Sequence, residues 1–195
     1  MSKSQIRASM KQFLAALTPA DRHARSVAAC HELIGTKEFR NAQTIMIFMS
    51  MPGEVETSTL AVKAWQEGKN IAVPRVDWEG LRMEPVEIKS LDLEIRTTGP
   101  GVPEPVSGTA VPLGVIDMVV IPGMAFDRAG FRVGRGRGFY DRFLAQRDFQ
   151  GIRCGLCFHE QLQADGIPCE AHDVPMNLIV TDKEVIHCRA ESKGH

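Results

Sequence analysis

The sequence predicts an α/β fold of three layers, in which helices cover both faces of a mainly parallel central sheet. Continuous apolar segments that suit buried strands alternate along the chain with segments whose apolar residues recur at helical spacing. Residues 44–76 also form a strand–helix–strand unit, which normally joins two parallel strands by a right-handed crossover. Because the chain has 195 residues, we expect residues 1–195 to form a single α/β domain.

Two amphipathic helices are predicted at the start of the chain. Ser2 and Gln5 have the spacing of a capping box, and residues 2–17 continue as a helix. One face of this helix is apolar and should dock on the domain; it carries Ile6, Met10, Phe13, Leu14 and Leu17. The Thr18-Pro19 pair is typical of a second helix start, and Gly35 of its end.

The alternation of strands and helices continues through the rest of the chain. Strands are predicted at residues 44–51, 70–76, 82–88, 116–122, 151–158 and 177–181. The predicted helices are residues 58–68, capped by Thr57 or Ser58, and residues 139–147. Residues 99–105 are rich in glycine and proline, which predicts a stiff surface loop.

The composition is that of an ordinary globular chain, with 44% hydrophobic and 24% charged residues. The 23 basic and 24 acidic residues give a net charge of −1, so we expect neither a nucleic-acid partner nor a membrane partner. No apolar stretch approaches the ~18 residues of a membrane span, and the N-terminus shows no secretory signal. Five cysteines, an odd number, indicate free thiols in a reducing cytoplasm.

The segment with the clearest chemistry follows a predicted buried strand and precedes a predicted helix. Three glycines alternate there with two arginines, in the order Gly134, Arg135, Gly136, Arg137, Gly138. Glycines let backbone N–H groups approach an anion, guanidinium groups match phosphate geometry, and the next helix offers its positive end. Five arginines and two aspartates in residues 127–142 give a local charge of +3. This concentration of charge predicts a bound polyanion, most simply a nucleoside triphosphate.

Other interpretations of this segment stay open. It lacks the Gly-Lys-Ser/Thr ending of a Walker A loop and the spacing of the dinucleotide fingerprint. A flexible loop is one alternative, and an Arg/Gly segment that binds RNA is another, although such segments are usually longer and repeated. Asp141, in the first turn of the next helix, suits either a helix cap or a Mg²⁺ ligand beside phosphates. Tyr140, the only tyrosine, suits a core position and a ligand contact equally.

A basic stripe lies on the first predicted helix. Lys3, Arg7 and Lys11 share one face, because they are four residues apart. Taken alone, such a stripe is typical of a solvated surface, and nothing in its spacing demands a ligand.

Cys154, Cys157, Cys169 and His172 have a spacing similar to that of zinc ligands. The first two cysteines, however, are three residues apart in a predicted strand, where their side chains point to opposite faces of the sheet. We therefore expect buried thiols at these positions rather than a zinc site.

Residues 132–141, Arg-Val-Gly-Arg-Gly-Arg-Gly-Phe-Tyr-Asp, resemble the signature of the 5-formyltetrahydrofolate cyclo-ligases, also called 5,10-methenyltetrahydrofolate synthetases. Further segments fit the same family in order and extend the resemblance over nearly the whole chain: Lys3 and Arg7, residues 47–57, Pro74-Arg75, residues 102–105, residues 122–127 and His172-Asp173. Two positions depart from the pattern of the family. Phe139 stands where tyrosine is usual, and Asn177 where aspartate is common.

The resemblance implies a cytoplasmic ligase of folate and one-carbon metabolism, with a single α/β/α domain that we expect to be monomeric. Such an enzyme uses ATP and Mg²⁺ to close 5-formyltetrahydrofolate to 5,10-methenyltetrahydrofolate, releasing ADP and phosphate. Phosphorylation of the formyl oxygen makes that oxygen a leaving group, and N10 then attacks the formyl carbon. A non-catalytic or differently specific nucleotide-binding relative is the main alternative, and an RNA-binding module is a weaker one.

Site residues follow from the same resemblance. ATP is implied at Lys3, Ser4, Gln5, Ile6, Arg7, Arg132, Val133, Gly134, Arg135, Gly136, Arg137, Gly138, Phe139 and Tyr140. The folate substrate is implied at Met49, Glu54, Arg135, Gly136, Arg137, Gly138 and Phe139. Arg135 and Arg137 have the catalytic role, because phosphoryl transfer mostly needs positioning and charge neutralisation. Asp141 and Asp173 are the implied Mg²⁺ ligands.

Overall fold

The computed structural model describes residues 1–99, 101–170 and 172–188. The helices in these residues are α1 (Lys3–Ala16), α2 (Pro19–Ile34), α3 (Lys37–Asn41), α4 (Ser58–Gln66) and α5 (Phe139–Leu144). The strands are β1 (Thr44–Met46), β2 (Asn70–Asp77), β3 (Arg82–Ile88), β4 (Ile95–Thr98), β5 (Val102–Pro105), β6 (Thr109–Ala110), β7 (Met118–Ile121), β8 (Ala125–Asp127), β9 (Arg132–Val133), β10 (Ile152–Leu156), β11 (Leu162–Gln163), β12 (Leu178–Val180) and β13 (Val185–His187).

An eight-stranded sheet forms the centre of the fold. Its strands lie in the order β13-β12-β10-β7-β1-β2-β3-β6. The five inner strands from β12 to β2 are parallel, whereas β13, β3 and β6 pair antiparallel to their neighbours. The predicted mixed α/β class with a mainly parallel sheet is therefore confirmed, and antiparallel strands complete both of its edges.

Both faces of this sheet are buried, as the continuous apolar strands require. Ile45 and Val120 belong to the core beneath α1, α2, α3 and α4. Met46 and Val119 are the immediate neighbours of Ile45 and Val120, so they face the opposite way, and they belong to the core with Phe143 of α5. The two helical layers are unequal, because α5 is the only α-helix in the described residues that covers the second face, where it lies beside β8 and irregular segments.

The chain changes direction across the sheet between β1 and β7. From β1 it passes through α4, on the first face, to β2 on one side. From β7 it passes through α5, on the second face, to β10 on the other side. The carboxyl ends of β1 and β7 thus flank a topological switch point, which in open α/β sheets is where ligands bind.

The predicted helix starts agree with the structure. The Ser2 hydroxyl accepts a hydrogen bond from the Gln5 N–H, and the Gln5 side chain accepts one from the Ser2 N–H, which completes the capping box. Thr18 caps α2 in the same manner. Thr57 occupies the cap position of α4, but its hydroxyl donates to the Phe48 carbonyl and so ties the helix start to the chain beyond β1.

Two predicted elements have different bounds in the structure. The strand expected at residues 44–51 pairs only over Thr44–Met46, after which the chain leaves the sheet. The helix expected at residues 139–147 ends at Leu144, where the Gln146 N–H donates to the Phe143 carbonyl and tightens the last turn.

The prediction of a surface loop at residues 99–105 is wrong over its second half. Val102–Pro105 form β5, which pairs with β4 in a two-stranded ribbon. Proline lacks a backbone donor, so Pro103 and Pro105 argue against a strand in a wide sheet, but a ribbon with free edges tolerates them. Pro100, within the same prediction, lies outside the described residues.

The apolar face of α1 docks on the sheet through fewer residues than its pattern indicates. Ile6 and Leu14 are buried in the core. Met10, Phe13 and Leu17 are partly buried at its margin. The Phe13 ring instead lies beneath the Arg25 guanidinium, 6.0 Å from its centre. In the part of the chain that the structure describes, no helix is long and apolar enough to cross a membrane.

Gly155 of β10 allows an aromatic ring to lie against the middle of the sheet. A Cβ placed on Gly155 would lie 2.5 Å from a ring carbon of Phe126, a fully buried side chain of β8. The ring therefore occupies the space that any other residue at 155 would need. Phe126 in turn holds β8 against the sheet, beside the carboxyl end of β7.

We predict that Gly155→Ala destabilises the chain by about 1–3 kcal/mol, because the added methyl group overpacks the core against Phe126. Gly114→Ala is the matched control, since a Cβ there meets only ordinary contact, at 3.7 Å, on an exposed segment. Urea unfolding of the two variants and the parent measures the difference. Equal midpoints for both variants would contradict the packing role of Gly155.

Candidate active site

A cavity of about 650 Å³ opens at the switch point, beyond the carboxyl ends of β1 and β7. Phe48 and Met49 border it from the chain just beyond β1, and Pro122 and Gly123 border it from the chain just beyond β7. The cavity also receives side chains from α1, from the hairpin of β2 and β3, from the ribbon of β4 and β5, and from the chain around residue 172. Segments distant in sequence therefore converge on one site.

The cavity has an apolar part and a charged part. The apolar part is lined by Phe48, Met49, Met51, Pro74, Val76, Trp78, Met83, Val102, Pro103, Phe139 and Tyr140. The charged part is lined by Lys3, Arg7, Arg132, Arg135, Arg137, Asp141, Glu170, His172 and Asp173. A ligand that combines flat rings with phosphate groups would find both of its surfaces matched here.

The glycine-arginine loop, residues 134–138, forms one wall of this cavity. Gly136 and Gly138 have φ angles of 98° and 67°, which favour glycine over residues with a side chain. Their conformation turns the chain between β9 and α5. The Nε of Arg7 donates to the Gly134 carbonyl over 2.8 Å, so α1 is fixed directly to this loop.

Arg132 lies at the base of the loop and is largely buried, with 6% of its side chain exposed. Its Nη2 donates to Asp141 Oδ1 over 2.7 Å, and its guanidinium lies 5.6 Å from the centre of the Tyr140 ring. Its Nε is buried and has no hydrogen-bond partner among the described residues. Arg132 therefore provides a fixed positive charge, and its Nε–H is a hydrogen-bond donor that a ligand could use.

Lys3 projects from the first turn of α1 towards the segment before β12. Its Nζ donates to Asp173 over 2.7 Å and to Glu170 over 3.0 Å. Burial alone would lower the pKa of Lys3, but its two carboxylate partners raise the pKa above the ordinary value. Burial likewise opposes ionisation of Asp173, whereas Lys3 and the Glu170 N–H hold the pKa of that carboxyl below its usual value. Both groups are thus charged at neutral pH.

Arg135 and Arg137 lie on the exposed side of the loop. Arg135 pairs with Glu54 over 2.9 Å, and the other oxygen of Glu54 accepts from the Met51 N–H. Arg137 forms no ion pair within the described residues. Arg135 is therefore held by Glu54 across the cavity, whereas Arg137 faces solvent.

The family model of the 5-formyltetrahydrofolate cyclo-ligase family matches residues 1–182. The chain belongs to this family. It is 29% identical over 189 residues to a mouse protein named 5-formyltetrahydrofolate cyclo-ligase, covering 92% of this chain and 93% of that one. A protein of the same name from Haemophilus influenzae is 30% identical, with 89% and 94% of the two chains covered.

A solved structure agrees with this cyclo-ligase assignment. The 5,10-methenyltetrahydrofolate synthetase of Aquifex aeolicus is 28% identical and superposes with a TM-score of 0.82, covering 100% of this chain and 97% of that one. Members of the family are ligases, and the resemblance and enzyme class predicted from the sequence are thereby confirmed.

Most of the site residues implied by the resemblance to the cyclo-ligases line this one cavity. Four do not. Ser4 and Gln5 lie on the exposed first turn of α1. Ile6 and Val133 are buried in the core, with 1% and 0% of each residue exposed, so neither side chain reaches the cavity.

The two departures from the cyclo-ligase pattern both have a packing explanation. The Phe139 ring meets Trp78 edge to face at 5.1 Å, a contact that needs no hydroxyl. The Asn177 side chain accepts a hydrogen bond from the Arg153 N–H over 2.8 Å and so joins the start of β12 to β10. An oxygen acceptor at this position is retained, because an amide and a carboxylate both provide one.

Asp141 and Asp173 both line the charged part of the cavity, with 20% and 12% of their side chains exposed. Each carboxylate contacts a cation of the protein, Arg132 or Lys3, and keeps oxygen lone pairs for a further partner. Carboxylates beside phosphate groups are the usual protein ligands of Mg²⁺. Two carboxylates do not complete a metal site by themselves, so the residues present fit a magnesium ion only together with phosphate oxygens.

The cysteines of the zinc-like spacing have other surroundings. Cys154 and Cys157 are buried thiols, as expected, and burial raises the pKa of both far above the ordinary value. Cys169 is exposed on the segment that leads to Glu170. Within the described residues no three histidine, cysteine, aspartate or glutamate side chains meet in an arrangement suited to a metal ion.

Sequence reasoning missed part of the apolar lining. Phe48, Pro122 and Gly123 follow directly on β1 and β7, so the rule that ligands bind at strand ends could have found them. Trp78 and Pro103 come from a hairpin and a ribbon outside the parallel core. Pro103 lies within residues 102–105, which fit the family pattern, but nothing in the sequence marks either residue as cavity lining, because only the tertiary arrangement brings them there.

We predict that Asp173→Asn lowers the free energy of unfolding by roughly 1 kcal/mol at pH 7, because Lys3 loses its charged partner. Since the pKa of folded Asp173 lies below the ordinary 3.8, the pair stabilises the folded chain above about pH 4. That contribution disappears as the pH falls through the lowered pKa. Urea unfolding should therefore separate parent and variant at pH 7, and the difference should shrink as the pH is lowered below 3.8.

Asp165→Asn is the control for this experiment, since Asp165 is exposed and does not line the cavity. It should leave the unfolding free energy unchanged across this pH range. A difference between parent and Asp173→Asn that persists unaltered in acid would show that the charge of Asp173 is not what stabilises α1.

Proposed function

We propose that this chain catalyses the ATP- and Mg²⁺-dependent cyclisation of 5-formyltetrahydrofolate to 5,10-methenyltetrahydrofolate, with release of ADP and phosphate. The observation that carries the proposal is the single cavity in which an apolar, aromatic part adjoins a cluster of cations. A reduced folate and a triphosphate need to meet in one enclosed space, because the phosphoryl group passes directly between them.

The phosphates of ATP would lie against the charged part of the cavity. Lys3 and Arg7 of α1 approach from one side, and Arg132 from the base of the glycine-arginine loop. Arg132 has a buried Nε donor without a partner among the described residues, which an anionic oxygen would satisfy. The glycine-arginine loop would add backbone N–H groups, since no side chain at Gly134, Gly136 or Gly138 shields its backbone.

The folate would occupy the apolar part, with its formyl group towards the glycine-arginine loop. Met49 would contact the rings, and Glu54 would accept hydrogen bonds from folate N–H groups. Glu54 is paired with Arg135 in this structure. Binding of both ligands would therefore redistribute these charges, with Arg135 turning to phosphate and Glu54 to the folate.

The reaction requires the formyl oxygen to become a leaving group, because a formamide carbonyl is a poor electrophile. Arg135 and Arg137 would be catalytic by neutralising negative charge as the γ-phosphoryl group of ATP moves to that oxygen. N10 of the folate then attacks the formyl carbon, and the C–O bond breaks as phosphate leaves. N10 loses its proton, and the ring closes as the methenyl product.

Asp141 and Asp173 would hold the magnesium ion, which supplies charge neutralisation at the phosphates when bound. In its absence these carboxylates are balanced by Arg132 and Lys3. Asp141, at the boundary between the loop and α5, would thus have two partners, a protein cation and a metal.

We further propose that residues 1–195 act as one domain, as a cytoplasmic monomer whose partners are small molecules rather than nucleic acid or membrane. The support is the distribution of charge. The chain has a net charge of −1, and five of its basic side chains, Lys3, Arg7, Arg132, Arg135 and Arg137, face one cavity.

An absorbance assay for methenyltetrahydrofolate tests the proposed reaction. The purified chain is mixed with 5-formyltetrahydrofolate, with and without ATP and with and without Mg²⁺. We expect product only when both are present. If no product forms under any condition, the cyclo-ligase proposal fails. ATP binding without turnover would then favour a non-catalytic or differently specific relative.

We predict that Arg135→Ala and Arg137→Ala each weaken ATP binding, since a charge-assisted hydrogen bond contributes about 1.5–3 kcal/mol. Both side chains are exposed on a loop, so the melting temperature without ligand should change little. Calorimetric titration with ATP and thermal melts provide the two measurements. Arg147→Ala, an exposed arginine outside the cavity, is the control and should change neither. Lower apo stability with unchanged ATP affinity would mean that the two arginines have a structural role.

A further inference from the structure

Glu104 of β5 is a buried carboxylate with no task in the reaction described above. Its side chain is 0% exposed. It accepts a hydrogen bond from the Thr98 hydroxyl on the neighbouring β4, and the Arg96 guanidinium lies 3.5 Å from its other oxygen. Burying a carboxylate is unfavourable unless such partners compensate for lost hydration. A neutral residue could be buried at this position of the ribbon at a lower cost in free energy. The presence of a carboxylate therefore indicates a role beyond the stability of the ribbon.

The hydroxyl of Thr98 carries the effect of Glu104 to the cavity. A hydroxyl has one proton, and Thr98 donates it to Glu104. Its oxygen is therefore left as an acceptor, and it accepts from the indole Nε1–H of Trp78 over 2.9 Å. The direction of both hydrogen bonds is fixed by the carboxylate, which cannot donate when ionised. Trp78 thus has its only polar atom committed to the ribbon.

The indole ring is held from two further sides. Gly99 lies directly beneath it, and a Cβ there would be 2.3 Å from a carbon of the Trp78 ring. On the other side, the Phe139 ring meets Trp78 edge to face, with an angle of 82° between the planes. Arg142 secures this second contact, since its guanidinium lies over Phe139 and its Nε donates to the Leu81 carbonyl. Trp78 is therefore clamped between the ribbon and the start of α5.

Trp78 lines the apolar part of the cavity, on which the proposed function places the folate. With its N–H already bonded, the indole offers a ligand only its apolar ring surface. A rigid aromatic wall of this kind recognises a flat ring by packing, and its orientation decides how well the ring fits.

We propose that Trp78 is a specificity-determining residue that packs against a flat ring of the folate, and that Thr98 and Glu104 are positioning residues that fix its indole. This inference rests on the proposed function. The substrate class that Trp78 selects is a reduced folate with its ring system intact. The affinity of the chain for ATP should not depend on Trp78.

The first test compares two binding constants in the full chain. Calorimetry gives the Kd of 5-formyltetrahydrofolate and, separately, that of ATP. For Trp78→Ala we expect the folate Kd to rise about tenfold or more, and the ATP Kd to stay within about twofold. Trp65→Phe is the control, since Trp65 of α4 packs on the core outside the cavity, and it should change neither constant. In that control Trp78 is the only tryptophan left, so the tryptophan emission should respond to 5-formyltetrahydrofolate.

A matched pair of glycine variants distinguishes the effect of moving the indole from the effect of straining the turn of the ribbon. Gly99 and Gly101 both have positive φ angles, 48° and 88°, in the turn between β4 and β5. A Cβ at Gly99 collides with Trp78, whereas a Cβ at Gly101 meets nothing within 4 Å. Gly99→Ala should therefore raise the folate Kd several-fold, and Gly101→Ala should not. Thr98→Val, which keeps the shape and removes the hydroxyl, should resemble Gly99→Ala.

The outcomes are distinguishable. If the parent chain binds 5-formyltetrahydrofolate and Trp78→Ala binds it equally well, Trp78 is not the folate wall and the inference is overturned. Equal effects of Gly99→Ala and Gly101→Ala on the folate Kd would overturn the positioning role, because strain in the turn would then explain both. Failure of the parent chain itself to bind 5-formyltetrahydrofolate would overturn the proposed function, and this inference with it.

Discussion

The accumulation of positive charge at the switch point is the constraint on which the rest of the site depends. Several cations facing one cavity repel each other, and three of them are each paired with a carboxylate: Lys3 with Asp173, Arg132 with Asp141 and Arg135 with Glu54. These pairs hold α1, the glycine-arginine loop and the chain beyond β1 in place before any anion arrives. The binding site is thereby preorganised. An incoming anion replaces a carboxylate as the partner of a cation that is already in position, so little further ordering of the chain is needed.

The parallel core provides the frame for this arrangement. Because β1 and β7 leave the sheet on opposite faces, their carboxyl ends diverge and open a space that no strand fills. Strand β3, which pairs antiparallel with β2, and the β4–β5 ribbon line one side of that space with apolar residues. One half of the fold thus supplies charge and the other supplies ring contacts, which suits two chemically different ligands.

The sequence predicts the core of the fold and the charged half of the site better than the apolar half. Buried parallel strands and the block from Arg132 to Asp141 have strong local patterns, and both appear where the pattern indicates. The β4–β5 ribbon was missed because its prolines contradict strand propensity, and only pairing with a single neighbour makes them acceptable. Trp78 and Glu104 are connected to each other through that ribbon. Their relation to the cavity could therefore not be predicted from local sequence patterns.

The contact between Lys3 and Asp173 joins residues 170 positions apart in the chain. During synthesis on a ribosome, α1 emerges well before the segment that carries Asp173, because 170 positions separate the two partners. A nascent chain therefore lacks a finished charged part of the cavity until Asp173 has left the ribosome. A product cut short before Asp173 would retain the sheet strands up to β10, but its cavity would lack the carboxylate that holds Lys3.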